Sequence, residues 1–187
     1  MLSVAEYQHN IASNINDTES PLNAMQRAAL LMYTSASPAA NVAPLSEYMR
    51  AMMDSKDALV TMPFISHVLD ALDRVPKIAA TVCRLVRLSD DDDDDDDDHE
   101  YMQGQFYVWT SIVSVSLQMS VVDEIIEQDD SHHYQIMIIE ACSVADIRLF
   151  SQCSSECECV LMPGTVVEVL SVLKMGGNTL LRLKQVA

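Results

Sequence analysis

Two glutamates one residue apart, Glu156 and Glu158, lie in the stretch Ser154-Ser155-Glu156-Cys157-Glu158-Cys159-Val160-Leu161-Met162-Pro163-Gly164-Thr165, among apolar and sulfur side chains. In an extended strand alternate side chains share a face, so this spacing predicts two carboxylates looking into one space, with Cys157 and Cys159 on the other face. Such a pair can divide proton transfer and charge stabilisation between its members. An edge strand with an acidic solvent face has the same pattern. Cys153, Cys157 and Cys159 with His132 or His133 have the donor types of a four-ligand metal site, but their spacing matches no common zinc motif, and no metal is expected.

The 187 residues are about one domain's worth and suffice to bury a core without disulfides or metals; a single domain and a monomer are expected. Formal net charge is −17, and nine of the acids form the uninterrupted run Asp90 to Asp98. Adjacent like charges cannot pack together, so residues 90–98 predict a solvated surface loop; a calcium loop would need a glycine turn and spaced ligands. The rest of the chain is acidic as well, which repels phosphate backbones and disfavours nucleic acid as a partner. The five cysteines, an odd number with three crowded near the acids, fit a reducing compartment. No stretch approaches the ~18 to 20 apolar residues of a membrane span, and the first ten residues lack a basic region followed by an apolar one. A cytoplasmic protein is expected, or an exported effector without a recognisable cleaved leader.

The elements that must position the acids can be read in order. Residues 1–20 are polar and aperiodic, a loosely ordered arm, and residues 21–79 read as a helical part. Leu22 to Tyr33 sets Leu22, Met25, Ala29 and Met32 at helical intervals among good helix formers. Residues 34–44, with Ser, Pro and Asn, break that helix, and LSEYMRAMM resumes a helical pattern after Pro44. A further helix over Phe64–Asp73 carries Ile65, Val68, Leu69 and Leu72 on one face and ends before Pro76, with His67 an ordinary helix residue. From residue 80 to 187 the chain is strand-rich: TVCRLVRL, GQFYVWTSIVSVS, YQIMIIEA, the acidic stretch, TVVEVLSVLKM and TLLRLKQV each predict one strand. LQMSVVDEIIEQ intervenes with helical spacing, and Gly176-Gly177-Asn178 predicts a hairpin turn. Helices first and strands after imply an α+β domain.

These segments together resemble the arginine-specific mono-ADP-ribosyltransferases of clostridial-toxin-like type. SSECECVLMPGTVVEVLSVLKM resembles that family's Glu-x-Glu signature, FYVWTSIVSVS its Trp-x-Ser-Phe-x-Ser-x-Ser strand, and TVCRLVRL its Tyr-Arg-Gly strand. ALLMYTSASPAANVAPLSEYMR is similar to its Tyr-Thr helix and the segment after it, with Tyr33, Asn41 and Arg50 in the corresponding places. The resemblance covers about residues 22 to 187. It implies N-terminal helices packed on a mixed, mostly antiparallel β-sandwich with an NAD cleft.

It also implies an activity, with NAD as substrate, no metal, and a protein with an exposed arginine as acceptor. The nicotinamide of NAD is already cationic and departs as a neutral ring, so no general acid is needed; the ribosyl centre left behind needs a carboxylate. By resemblance Glu158 is that carboxylate, and Glu156 binds the incoming guanidinium, whose pKa above ~12 makes it a poor nucleophile. Arg84 pairs with the NAD phosphates, while Ser114 and Ser116 hold the nicotinamide ribose and orient Glu158. The sequence departs from the family at Cys83, Leu85 and Ile112, where an aromatic, a glycine and an aromatic are usual. Leucine does not admit the close backbone approach that glycine does. The alternative readings are a non-catalytic acidic interaction module on the same fold and an NAD glycohydrolase.

Overall fold

The computed structural model describes residues 20–34, 58–88, 101–120, 122, 126, 132–151 and 157–186, with the side chains of 58–61 left aside. Residues 1–19 of the arm expected over 1–20, the helical pattern after Pro44, the Asp90–Asp98 run, Cys153 and Glu156 lie outside them. Of the described residues, 20–34, 58–76 and 145–151 form one compact unit, and those of 77–144 with 157–186 form another.

The first unit contains helices α1 (Ala24–Tyr33) and α2 (Ala58–Arg74). Asn23 caps α1: its Oδ1 accepts the Gln26 N–H at 2.9 Å, and Gln26 Oε1 accepts the Asn23 N–H at 2.9 Å. This reciprocal pair satisfies two donors that a helix start leaves orphaned. The Gln26 amide then donates to Asp70 Oδ2 on α2 at 3.2 Å. Gln26, Leu30 and Tyr33 are buried together with Leu22 and Ala29 of the expected apolar stripe, whereas Met25 and Met32, also expected in it, are exposed. Helix α2 begins six residues before the expected Phe64, with Pro63 inside it. Its buried stripe of Ile65, Val68, Ala71 and Leu72 contains three of the residues that the periodicity predicted. No helix among the described residues is long and apolar enough to cross a membrane.

The second unit is built from strands β1 (Lys77–Arg87), β2 (Phe106–Trp109), β3 (Val113–Ser116), β4 (Tyr134–Asp146), β5 (Glu158–Leu161), β6 (Thr165–Met175) and β7 (Asn178–Val186). They order β1-β3-β5-β4-β7-β6-β2, with β1 also against β4; β4–β7 is parallel, and β1–β3, β3–β5, β6–β7 and β2–β6 are antiparallel. The stretch from Phe106 to Ser116, expected as one strand, is therefore two. Residues 110–112 carry the chain from β2 at one end of this order to β3 near the other, and residues 162–164 make a similar step from β5 to β6. Steps that short require the sheet to fold over on itself. Inside the fold lie Val82, Val113, Val115, Met137, Ile139, Cys159, Leu161, Val167, Val169, Leu181 and Leu183. They alternate with outward residues along each strand, the pattern of a sandwich.

Two turns fix strand register. Met162-Pro163-Gly164-Thr165 closes with Thr165 N–H on Met162 O at 3.2 Å, and Gly164 has φ 86. Proline second and a positive-φ glycine third are the requirements of a type II turn. Gly176 and Gly177, with φ 54 and 92, make the two-residue hairpin that pairs Met175 with Asn178. A Cβ on Gly177 would lie 2.3 Å from the ring of the exposed His133. Because an exposed imidazole can swing away and a positive φ cannot be relieved, Gly177→Ala is expected to lower stability by about 1–3 kcal/mol. Urea unfolding of Gly177→Ala with and without His133→Ala checks the cause: the loss persists in the double variant if the dihedral is responsible and disappears if the contact is.

Candidate active site

Ser114 and Ser116 leave one side of β3 because Val113 and Val115 enter the strand core from the other. The β3–β5 ladder sets Ser114 opposite Val160 and Ser116 opposite Glu158. Directly opposed residues share a face, so the two serines and Glu158, all half-buried, stand together on the side away from the strand core. Glu158 is the first residue of β5, where the backbone direction is fixed by the ladder to β3. The Ser116 hydroxyl accepts the Gln118 N–H at 2.9 Å and so also shapes the turn leaving β3.

Cys157 has φ 46, in the left-handed region, which costs a non-glycine residue about 1–2 kcal/mol. Its carbonyl accepts the Leu117 N–H at 3.2 Å, which ties the approach to Glu158 to the end of β3. The expectation that the chain is already extended at Cys157 is thus corrected: Cys157 is left-handed, and the strand starts only at Glu158. Glu156 itself lies outside the described residues.

Arg84 arrives from elsewhere. Along β1, Val82 and Val86 turn toward the strand core, while Cys83 and Leu85 pack in a second cluster with Val122, Ile126, Tyr134 and Ile136. Cys83 is the register partner of Ser116, so Arg84 starts from the face opposite to that of Ser116 and Glu158. Its Nη1 donates to the Ser114 carbonyl at 2.9 Å. All of the described signature residues therefore meet at β3, but the arginine does so from the other side. Tyr101 packs at the rim of the strand core, its hydroxyl accepting the Trp109 Nε1–H at 3.1 Å and its ring 4.6 Å from that of Tyr107. Burial pushes the Tyr101 phenol up, opposed by the Trp109 bond and the charge of Arg84, so it remains protonated at neutral pH.

The unusual residues have packing roles. Leu85, where the family's glycine is expected, fills the second cluster, and Ile112 is buried at the end of the step from β2 to β3. Sequence reasoning missed the left-handed Cys157 and the bonds of Cys83 described below; neither leaves a composition or spacing signal. An open groove of about 510 Å³, lined by Thr81, Ile138, Glu140, Cys142, Arg182 and Lys184 among others, includes none of the expected site residues. Among the described residues no three His, Cys, Asp or Glu side chains cluster as metal ligands would.

No protein-family model matches the chain, and no curated protein is significantly similar to it in sequence. Solved structures are similar in fold. ADP-ribosyltransferase Vis, a toxin from Vibrio splendidus crystallised with agmatine, superposes with a TM-score of 0.68 at 13% identity, over 100% of this chain and 87% of Vis. ADP-ribosyltransferase HopU1 of Pseudomonas syringae gives 0.64 at 20%, over 100% and 88%. The eukaryotic mono-ADP-ribosyltransferase ART2.2, a mutant in complex with NADH, gives 0.63 at 19%, over 97% and 77%. The chain has the α+β fold of the mono-ADP-ribosyltransferases, as its motifs led one to expect.

The strained residue beside Glu158 gives a local test. Cys157→Gly is expected to leave stability within about 0.5 kcal/mol, since relief of strain offsets the added chain entropy. A β-branched side chain tolerates positive φ worst, so Cys157→Val should cost about 1–2 kcal/mol more than Cys157→Gly. Equal unfolding midpoints for the two variants would show that residue 157 is not held left-handed.

Proposed function

We propose that this protein is an NAD-dependent mono-ADP-ribosyltransferase that breaks the nicotinamide–ribose bond and transfers ADP-ribose to an arginine of another protein. The observation that carries the reading is the pairing of Glu158 with Ser116 across β3–β5, on the same face as Ser114, in a fold shared with Vis, HopU1 and ART2.2. A half-buried carboxylate on a paired strand is held in direction, and fixed charge is what stabilises a developing cation at little reorganisation cost. NAD supplies a leaving group that needs no proton. Glu158 then stabilises the ribosyl centre, and the serines hold the ribose and keep the carboxylate oriented.

Arginine as acceptor rests on the Glu156-x-Glu158 pair: a second carboxylate binds a guanidinium and draws off its proton. The agmatine bound to Vis carries that same guanidine group, which supports the choice. Arg84 is assigned to the NAD phosphates, a contact it makes with one N–H already given to Ser114.

Glu158→Gln is expected to lower both nicotinamide release and transfer to agmatine about 10²-fold. Glu156→Gln should keep NAD binding and nicotinamide release into water while losing most transfer. Labelled NAD with agmatine, and nicotinamide release without it, measure the two. Wild-type rates in Glu158→Gln would remove that residue from the role, and equal loss of release in both variants would contradict the division of labour. A second reading, an acidic scaffold that binds basic partners without catalysis, is favoured by Arg84's opposite face and by the packing of Leu85. Titration calorimetry with NAD separates the two, because the scaffold produces no heat.

A further inference from the structure

Cys83 is nearly inaccessible, and its surroundings are apolar: Val122, Tyr134 and Ile136, with Leu85 and Ile126 beside them. A buried cysteine in such a place usually acts as a small hydrophobe. Here its Sγ lies 3.5 Å from the Ser116 carbonyl and 3.3 Å from that of Gln118, with the thiol as donor. Those two carbonyls bracket Leu117. Leu117 in turn gives its N–H to the carbonyl of Cys157, the residue before Glu158.

Among the described residues the β1–β3 ladder registers Cys83 with Ser116, at the very end of β3. From the other face Arg84 holds the Ser114 carbonyl, two residues upstream. Consecutive residues of β1 therefore reach β3 and the turn after it from both sides, Arg84 at the Ser114 carbonyl and the single Cys83 S–H shared between those of Ser116 and Gln118. An S–H is a weak donor, but Cys83 itself is buried, so its thiol meets these carbonyls in a setting where a polar contact counts for more than in water.

We propose that Cys83 is a positioning residue: its thiol clasps the end of β3 and, through Leu117 and Cys157, sets the place and direction of Glu158. The inference goes beyond the transferase reading and rests on it only for the kinetic consequence. It gives the cysteine that stands where the family has an aromatic a definite task.

Two substitutions separate the clasp from simple packing. Cys83→Ser keeps a donor of similar size, and Cys83→Val keeps apolar volume without a donor. The clasp predicts that Cys83→Ser retains near-wild-type kcat for nicotinamide release, and that Cys83→Val loses about tenfold in kcat with KM for NAD little changed. Packing alone predicts the reverse order, because an apolar cluster accepts valine and resists a hydroxyl. Amide hydrogen exchange reads the clasp without any activity: exchange at Leu117 and Gln118 should accelerate in Cys83→Val, stay slow in Cys83→Ser, and be unchanged on β6 and β7 in both. Unchanged exchange at Leu117 in Cys83→Val, or faster exchange in Cys83→Ser than in Cys83→Val, would overturn the proposal. If the exchange pattern holds while wild-type protein releases no nicotinamide, the clasp stands and the transferase reading fails.

Discussion

The ladder between β3 and β5 is the constraint on which the candidate site depends. It is short, four registered pairs from Val113–Leu161 to Ser116–Glu158, and it sorts side chains without ambiguity. Val113, Val115, Cys159 and Leu161 enter the strand core; Ser114, Ser116, Glu158 and the buried Val160 go to the opposite face. A slip of one residue would exchange the two faces, carrying the carboxylate and hydroxyls into the apolar strand core, which is why the register is strongly specified. Its far end is secured by the Leu117–Cys157 bond and its near end by the type II turn at Pro163-Gly164.

That economy lets Ser114, Ser116 and Glu158 share a face whatever residues stand beside them on β1. Where glycine and aromatic residues are expected by resemblance, this chain has Leu85, Cys83 and Ile112, and each is taken up by packing or by a hydrogen bond to β3. Side chains from both faces of β1, Arg84 and Cys83, reach backbone carbonyls of the serine strand and the turn after it. Strain sits where the site needs a fixed geometry: the only non-glycine residue with positive φ among those described is Cys157, next to Glu158. Such strain persists only where surrounding bonds over-determine it.

Much of this was legible in the sequence. The strand-forming runs of β1, β6 and β7, the Gly176-Gly177 hairpin and the serine pair on one face follow from period-two alternation and turn chemistry, and the helix-then-strand order gives the α+β class. Three things were not legible, for physical reasons. The run from Phe106 to Ser116 reads as one strand because nothing local marks the step at residues 110–112; only pairing partners far along the chain divide it. Met25 and Met32 fit an apolar stripe with Leu22 and Ala29, but only the latter two are buried, on a face shared with Leu30, Tyr33 and the capping Gln26 that bonds Asp70. Alternation also fails silently at Cys157, since a cysteine is not a residue that favours the left-handed region and so gives no sign of it in the sequence.

The central claim is that NAD is cleaved on the face of β3 and β5 that carries Ser114, Ser116 and Glu158. Amide hydrogen exchange of the wild-type protein with and without saturating NAD tests it most directly. The account predicts added protection concentrated at residues 114–118 and 157–160. Protection that appears instead along the Arg182 and Lys184 groove, or nicotinamide release with no added protection on β3 and β5, would contradict it.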